Sequence, residues 1–175
     1  MADTGTLAAR VRAMSQLTGQ FVLRSGRTSS EYFDKYLFEA DPGLLADIVD
    51  AMGPLLPEGT DVLAGLELGG IPLVTLLSQR TGMPARFVRK KAKEYGTCRA
   101  AEGGAVEGLR VVLVEDVVTS GGAVLAAAGI LREQGAIVEH VLCVIDRQEG
   151  GRASLADIGL DLRSVLTRAE LNAAA

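Results

Sequence analysis

The sequence has no tryptophan, one histidine and two cysteines, and its aromatic content is three tyrosines and four phenylalanines. A lone His140 cannot build a histidine cluster, and Cys98 and Cys143 lack metal-ligand spacing, so a zinc site has no support. Cys143 lies in an apolar run and reads as a small core residue. So few cysteines fit a reduced, cytoplasmic setting. The N-terminus lacks the basic-then-apolar layout of a signal peptide, and no apolar run approaches membrane-spanning length. The P-loop pattern Gly-x-x-x-x-Gly-Lys and the dinucleotide pattern Gly-x-Gly-x-x-Gly are both missing. The formal net charge is −4, whereas a general nucleic-acid binder is usually basic; any positive site must be local. Neither nucleic acid nor a membrane is therefore an expected partner. With 175 residues, 48% of them hydrophobic, the chain can bury one sizeable core, and a single domain over residues 1–175 is expected, without repeat or linker.

Strand and helix patterns alternate along the chain. Leu7, Val11, Met14 and Leu17 predict a helix over residues 6–17. Phe21 to Arg27 suggests a short strand entering a turn, and Thr28 to Phe38 a second short strand pair. Four of the seven aromatics fall between Tyr32 and Phe38. Asp41-Pro42 is a helix start, with the acid as cap and proline at the first helical position. Strand Asp61–Leu66, loop Glu67–Gly70 and helix Ile71–Arg80 follow, then strand Ala85–Arg89. Residues 90–109 carry no apolar period and predict a long loop of the kind that is often functional. Val111–Val114 reads as a strand buried on both faces, followed by a helix over about 123–133 and a strand from Ile137 to Ile145. A last helix (Ala153–Ile158) and strand (Leu162–Leu166) precede an alanine-rich tail expected to fray. This alternation predicts an α/β fold, a mostly parallel central sheet flanked by helices.

Chemistry concentrates after the Val111–Val114 run. Glu115 and Asp116 stand at the strand's carboxyl end, and Thr119, Ser120, Gly121, Gly122 and Ala123 lead into a helix. Small residues before a helix N-terminus let backbone N–H groups close around a phosphate, and the hydroxyls add donors. Carboxylates beside a bare phosphate would repel it, so they should serve another part of the same ligand, either vicinal sugar hydroxyls or a metal bridging to other phosphates. An isolated acidic pair is ordinarily a solvated strand end; the phosphate half of the site argues otherwise. Arg89, Lys90, Lys91 and Lys93 put dense positive charge at the start of the long loop. Such a run is commonly a solvated surface, but in a loop ahead of the phosphate strand it suits a lid that closes on a polyphosphate. Glu67-Leu-Gly-Gly70 follows a buried strand on the same sheet edge and offers backbone N–H groups to a second phosphate cluster. Together these features imply a ligand with phosphates at both ends of a ribose.

The stretch from Val111 to Ala123 resembles the phosphoribosyl-diphosphate (PRPP) signature of type I phosphoribosyltransferases. Phe21-Val-Leu-Arg-Ser-Gly-Arg-Thr-Ser29 with Tyr32-Phe33, Arg89-Lys-Lys-Ala-Lys-Glu-Tyr-Gly96 and Ile145-Asp-Arg-Gln-Glu149 resemble the orotate-specific branch. The resemblance implies the type I phosphoribosyltransferase fold, with a small N-terminal hood over about residues 1–40 and a mobile lid over about 90–108. It implies transfer of a phosphoribosyl group from PRPP to orotate, with Mg²⁺ held mainly by PRPP and water, in a homodimer whose lids close over the neighbouring subunit. Glu115 and Asp116 would hold the ribose hydroxyls and Thr119 to Ala123 the 5-phosphate. Arg89, Lys90 and Lys93 would contact the diphosphate, with Glu67, Gly69 and Gly70 in the second anion loop and Lys91 and Tyr95 in the lid. Arg147 would pair with the orotate carboxylate, and the backbone around Tyr32 and Phe33 would read the pyrimidine edge.

Three positions depart from the common pattern. Arg24 stands where many members have lysine, Tyr95 where many have histidine, and Gly69 where many have lysine. Tyr95 can donate a hydrogen bond but supplies no cation at neutral pH. A transferase for a neutral base would have no carboxylate to offer Arg147. A PRPP-sensing regulator would ordinarily add a DNA-binding segment, for which no helix-turn-helix or basic patch outside the lid is found.

Overall fold

The apolar runs that suit burial on both faces become the middle of one sheet. The computed structural model describes residues 4–22, 26, 28–90 and 101–174. Among these, six strands form the main sheet in the order β5-β4-β3-β6-β7-β8. They are β3 (Val62–Leu66), β4 (Ala85–Val88), β5 (Ala101–Glu102), β6 (Arg110–Val118), β7 (Ile137–Asp146) and β8 (Asp161–Thr167). All neighbours are parallel except β4 and β5, which run antiparallel. Alternate residues of β6 feed two cores. Val112 and Val114 join the face covered by α1 (Thr4–Ser15), α3 (Pro42–Met52) and α4 (Gly70–Thr81). Val111 and Leu113 join the face covered by α5 (Gly122–Glu133) and α6 (Gly151–Ala156). That is why the run carries no polar alternation: either face is inside.

Local signals fix several boundaries. Asp41 caps α3 through a 2.7 Å bond accepted from the Leu44 N–H, and Pro42 occupies the first turn, as the sequence predicts. The N-terminal helix ends at Ser15, and Leu17 already belongs to β1 (Gln16–Val22). Strand β1 pairs antiparallel with β2 (Thr28–Phe33) to form a separate two-stranded ribbon. Residues 23–25 and 27 of the expected turn, Arg24 included, lie outside the described residues.

Three expectations are corrected. The strand expected through Phe38 stops at Phe33; Asp34 then caps a helix, α2 (Lys35–Ala40), by accepting from the Tyr36 N–H. A capping residue followed by good helix formers outweighs the aromatic content that suggested a strand. The alanine-rich tail is helical through Ala173. Residues Arg168–Ala173 form α7, started by a capping box between Thr167 and Glu170, and the Arg12 guanidinium donates to the carbonyls of Leu171 and Asn172. Finally, the long loop expected over 90–109 is interrupted by β5, whose Ala101 and Glu102 pair with Val88 and Phe87 of β4. Ala101 and Glu102, within the range expected for the lid, therefore belong to the sheet edge.

Candidate active site

Chain order reverses between β3 and β6. From β3 the chain passes to β4 on one side and then crosses to β6 on the other. In open α/β sheets such a switch point opens a crevice at the carboxyl ends of the strands, where ligands bind. Here two glycine-containing loops flank it: residues 67–69 after β3 and residues 119–121 after β6.

The loop after β6 is built for an anion. Thr119, Ser120, Gly122 and Ala123 are exposed, and no side chain caps the N-terminus of α5. Gly121 has φ +83, and a Cβ there would approach the Leu155 side chain at 3.3 Å. At Gly122 a Cβ would meet only the Ser120 hydroxyl, at 4.0 Å. The start of α5 is thus exposed and uncapped by any side chain, as an anion at the positive end of a helix requires.

The loop after β3 is packed far more tightly. Its Glu67–Leu68 peptide bond is cis. The Glu67 N–H donates to the Val88 carbonyl at 2.9 Å, and its carboxylate accepts from the Lys90 N–H at 2.5 Å. This joins the loop to the start of the basic segment. Lys90 is exposed, and Arg89 pairs with Glu102 of β5 at 3.4 Å. Lys91, Lys93 and Tyr95 lie outside the described residues.

Below Gly69 sits an ionisable cluster. Asp116 is fully buried; its Oδ1 accepts from the Val117 N–H, and its Oδ2 lies 2.5 Å from Lys35 Nζ. Glu39, one helical turn after Lys35 on α2, is also buried. Both carboxylates reach the space a side chain at position 69 would fill. A Cβ there would lie 1.6 Å from Asp116 Oδ2 and 2.7 Å from Glu39 Oε1. Glu115 is buried as well, and its Oε1 accepts from the Asp116 N–H at 3.0 Å. Burial, then the Asp116 carboxylate, raises the Glu115 pKa from 4.5 to about 9 and that of Glu39 from 4.5 to about 8. Burial opposes the charge on Lys35, but the Asp116 ion pair outweighs it and leaves the lysine pKa raised. The raised pKa values favour the neutral forms of Glu39 and Glu115, and Lys35 pairs with Asp116. This removes the objection that acids beside a phosphate loop would repel the ligand.

On the other side of the crevice, β7 ends at Asp146 and Arg147 follows. The buried Asp146 carboxylate accepts from the Gln148 N–H at 2.8 Å and pairs with Arg152 at 3.2 Å, fixing the turn. The Arg147 N–H donates to the Val118 carbonyl at 2.9 Å, which places Arg147 beside the phosphate loop. The Arg147 side chain, with Tyr32 and Phe33 of β2, lines a cleft of about 450 Å³.

A phosphoribosyl transferase domain model matches residues 34–161. An orotate phosphoribosyltransferase of Nocardioides sp. is 60% identical over 169 residues, 97% of this chain and 94% of that protein. The orotate phosphoribosyltransferase of Halobacterium salinarum is 42% identical, covering 98% of each chain. The chain belongs to the orotate phosphoribosyltransferases. The structure of the Mycobacterium tuberculosis orotate phosphoribosyltransferase superposes with a TM-score of 0.87 at 35% identity, covering 97% of this chain and 98% of that one. The same enzyme in complex with PRPP superposes at 0.83.

For this family member, the crevice gathers Glu67, Gly69, Gly70, Glu115, Asp116 and residues 119–123 at the ends of β3 and β6, with Arg147 at the end of the adjacent β7. Tyr32 and Phe33 join Arg147 across the cleft. Sequence reasoning missed Lys35 and Glu39. Their i, i+4 spacing after the capping Asp34 was the available signal, hidden by reading the segment as a strand.

Proposed function

We infer that this chain transfers the 5-phosphoribosyl group of Mg²⁺–PRPP to orotate, giving orotidine 5-monophosphate and diphosphate in pyrimidine synthesis. The observation that carries this reading is the adjacency of Arg147 and the phosphate loop at the ends of neighbouring parallel strands, where Val118 pairs with Asp146. Parallel strands lie about 4.8 Å apart, so one nucleotide-sized product can reach both. The planar Arg147 fork suits the acceptor carboxylate, and the uncapped α5 N-terminus suits the 5-phosphate.

In this reading Glu115 and Asp116 recognise the ribose hydroxyls. The loop of Glu67, Gly69 and Gly70 receives the diphosphate through backbone N–H groups. Arg89, Lys90, Lys91 and Lys93, with Tyr95, close over it and stabilise the departing anion, while Arg24 adds charge from the hood. In this reading Mg²⁺ would be held mainly by PRPP and water rather than by Asp116, which is buried against Lys35 and Val117, and it would supply charge stabilisation to the departing diphosphate. Catalysis is then positioning and charge stabilisation, with orotate's ring nitrogen attacking an oxocarbenium-like ribose and no side-chain nucleophile. A cytoplasmic homodimer that shares its lids completes the proposal.

The test is loss of orotate ultraviolet absorbance after adding PRPP and Mg²⁺, with hypoxanthine and uracil as controls. Turnover of orotate alone is expected. Turnover of a control base without orotate would overturn the reading.

A further inference from the structure

The hood helix α2 reaches into the ribose side of the crevice with a charged group that no motif marks. Lys35 Nζ stands 2.5 Å from Asp116 Oδ2 while its own side chain remains one-third exposed. Asp116 has no other counter-charge in an ion pair among the described residues. Its second oxygen is held by the Val117 N–H, so the pair fixes both the charge and the orientation of the carboxylate. Glu39, from the same helix face, closes the cluster under Gly69.

We propose that Lys35 is a positioning residue for PRPP: it acts through Asp116, keeping that buried carboxylate charge-matched and aimed for the ribose hydroxyls. Without the lysine, Asp116 would be an uncompensated buried charge or would take a proton, and either state disturbs the acceptor that the ribose needs. Were Asp116 to stay ionised, the local charge would also turn negative beside a loop that must receive phosphates. Orotate recognition, carried by Arg147 and the β2 backbone, would be spared. The inference rests on the PRPP reading of the crevice. Failure of that reading would show in the unaltered protein, which would not consume orotate and PRPP; failure of the inference would show only in the variants.

The experiment is a double-mutant cycle on steady-state kinetics with Lys35→Met, Asp116→Asn and their combination. Lys35→Met should raise the PRPP KM roughly tenfold to a hundredfold, the weight of a charged hydrogen bond, with the orotate KM unchanged. In the Asp116→Asn background the same change should add less than about twofold, because the partner through which it acts is already neutral. An unchanged PRPP KM in Lys35→Met would overturn the proposal. So would a full penalty in the Asp116→Asn background, which would make Lys35 a direct substrate contact. Should Lys35→Met not fold, Lys35→Gln takes its place in the same cycle, keeping a donor to Asp116 without the charge, with the same outcomes deciding.

Discussion

Gly69→Ala isolates the packing between the diphosphate loop and the acidic cluster. Gly69 has φ −65 and ψ −28, an ordinary right-handed conformation, so an alanine there carries no backbone penalty and the cost is steric alone. The added Cβ would stand 1.6 Å from Asp116 Oδ2, 2.4 Å from its Cγ and 2.7 Å from Glu39 Oε1. Asp116 cannot simply swing aside, because Lys35 and the Val117 N–H hold its two oxygens and β6 is paired on both edges. The loop must lift or the ion pair must break. Overpacking of this kind costs about 1–3 kcal/mol, which for a chain of this size lowers Tm by roughly 2–12 °C at about 2–4 °C per kcal/mol. Displacement of the loop by about 1 Å should also cost up to a hundredfold in kcat/KM for PRPP. Thermal unfolding and PRPP titrations at saturating orotate measure the two effects. Gly129→Ala is the control: nothing lies within 4 Å of a Cβ at that helical site, so it should stabilise by about 0.4–1 kcal/mol. Wild-type Tm and PRPP kinetics in Gly69→Ala would refute the tight contact between this loop and the acids.

Arg147→Ala should raise the orotate KM and lower kcat/KM by roughly tenfold to several hundredfold, leaving the PRPP KM in place; equal loss for both substrates would contradict its role in acceptor recognition. Thr167→Ala removes the capping box of α7, in which the Glu170 N–H donates to the Thr167 hydroxyl and the Thr167 N–H to the Glu170 carboxylate. It should cost about 0.5–2 kcal/mol, seen as a lower Tm, and no change would mean that the tail is not tied down. Glu39, with its pKa raised from 4.5 to about 8, keeps its proton in the folded chain over a range where the unfolded chain has lost it. Its contribution to stability is therefore full below about pH 4.5, falls as pH rises towards 8 and levels off above. Glu39→Gln should make the decline of Tm between pH 5 and 8 shallower, and parallel curves for the two proteins would rule out this buried proton.

The parts of the site legible from sequence are those in which adjacency along the chain implies adjacency in space. Residues 115–123 lie on one strand, one loop and one helix start, so their chemistry could be read as a unit. Arg147 is legible only through the resemblance of Ile145-Asp-Arg-Gln-Glu149 to the orotate-specific branch; its strand is the next parallel neighbour of β6. Lys35 and Glu39 fail this condition: they meet Asp116 across some 80 residues, and the helix that aims them was hidden by an aromatic-rich, strand-like composition. Their discovery changes the meaning of a departure that sequence alone could only note. The family resemblance leads one to expect lysine where this chain has Gly69, and a side chain at that position here would collide with Asp116 and Glu39. Glycine leaves the space to the acids, and the cation that pairs with Asp116 comes from α2. A glycine at position 69 thus does not leave Asp116 without a cation, since Lys35 of α2 pairs with it. Because that helix is joined through the single residue Asp41 to α3, whose Leu44, Ile48 and Met52 are packed in the core, the lysine is carried on a helix rather than a surface loop, as the proposed orienting of a buried carboxylate requires.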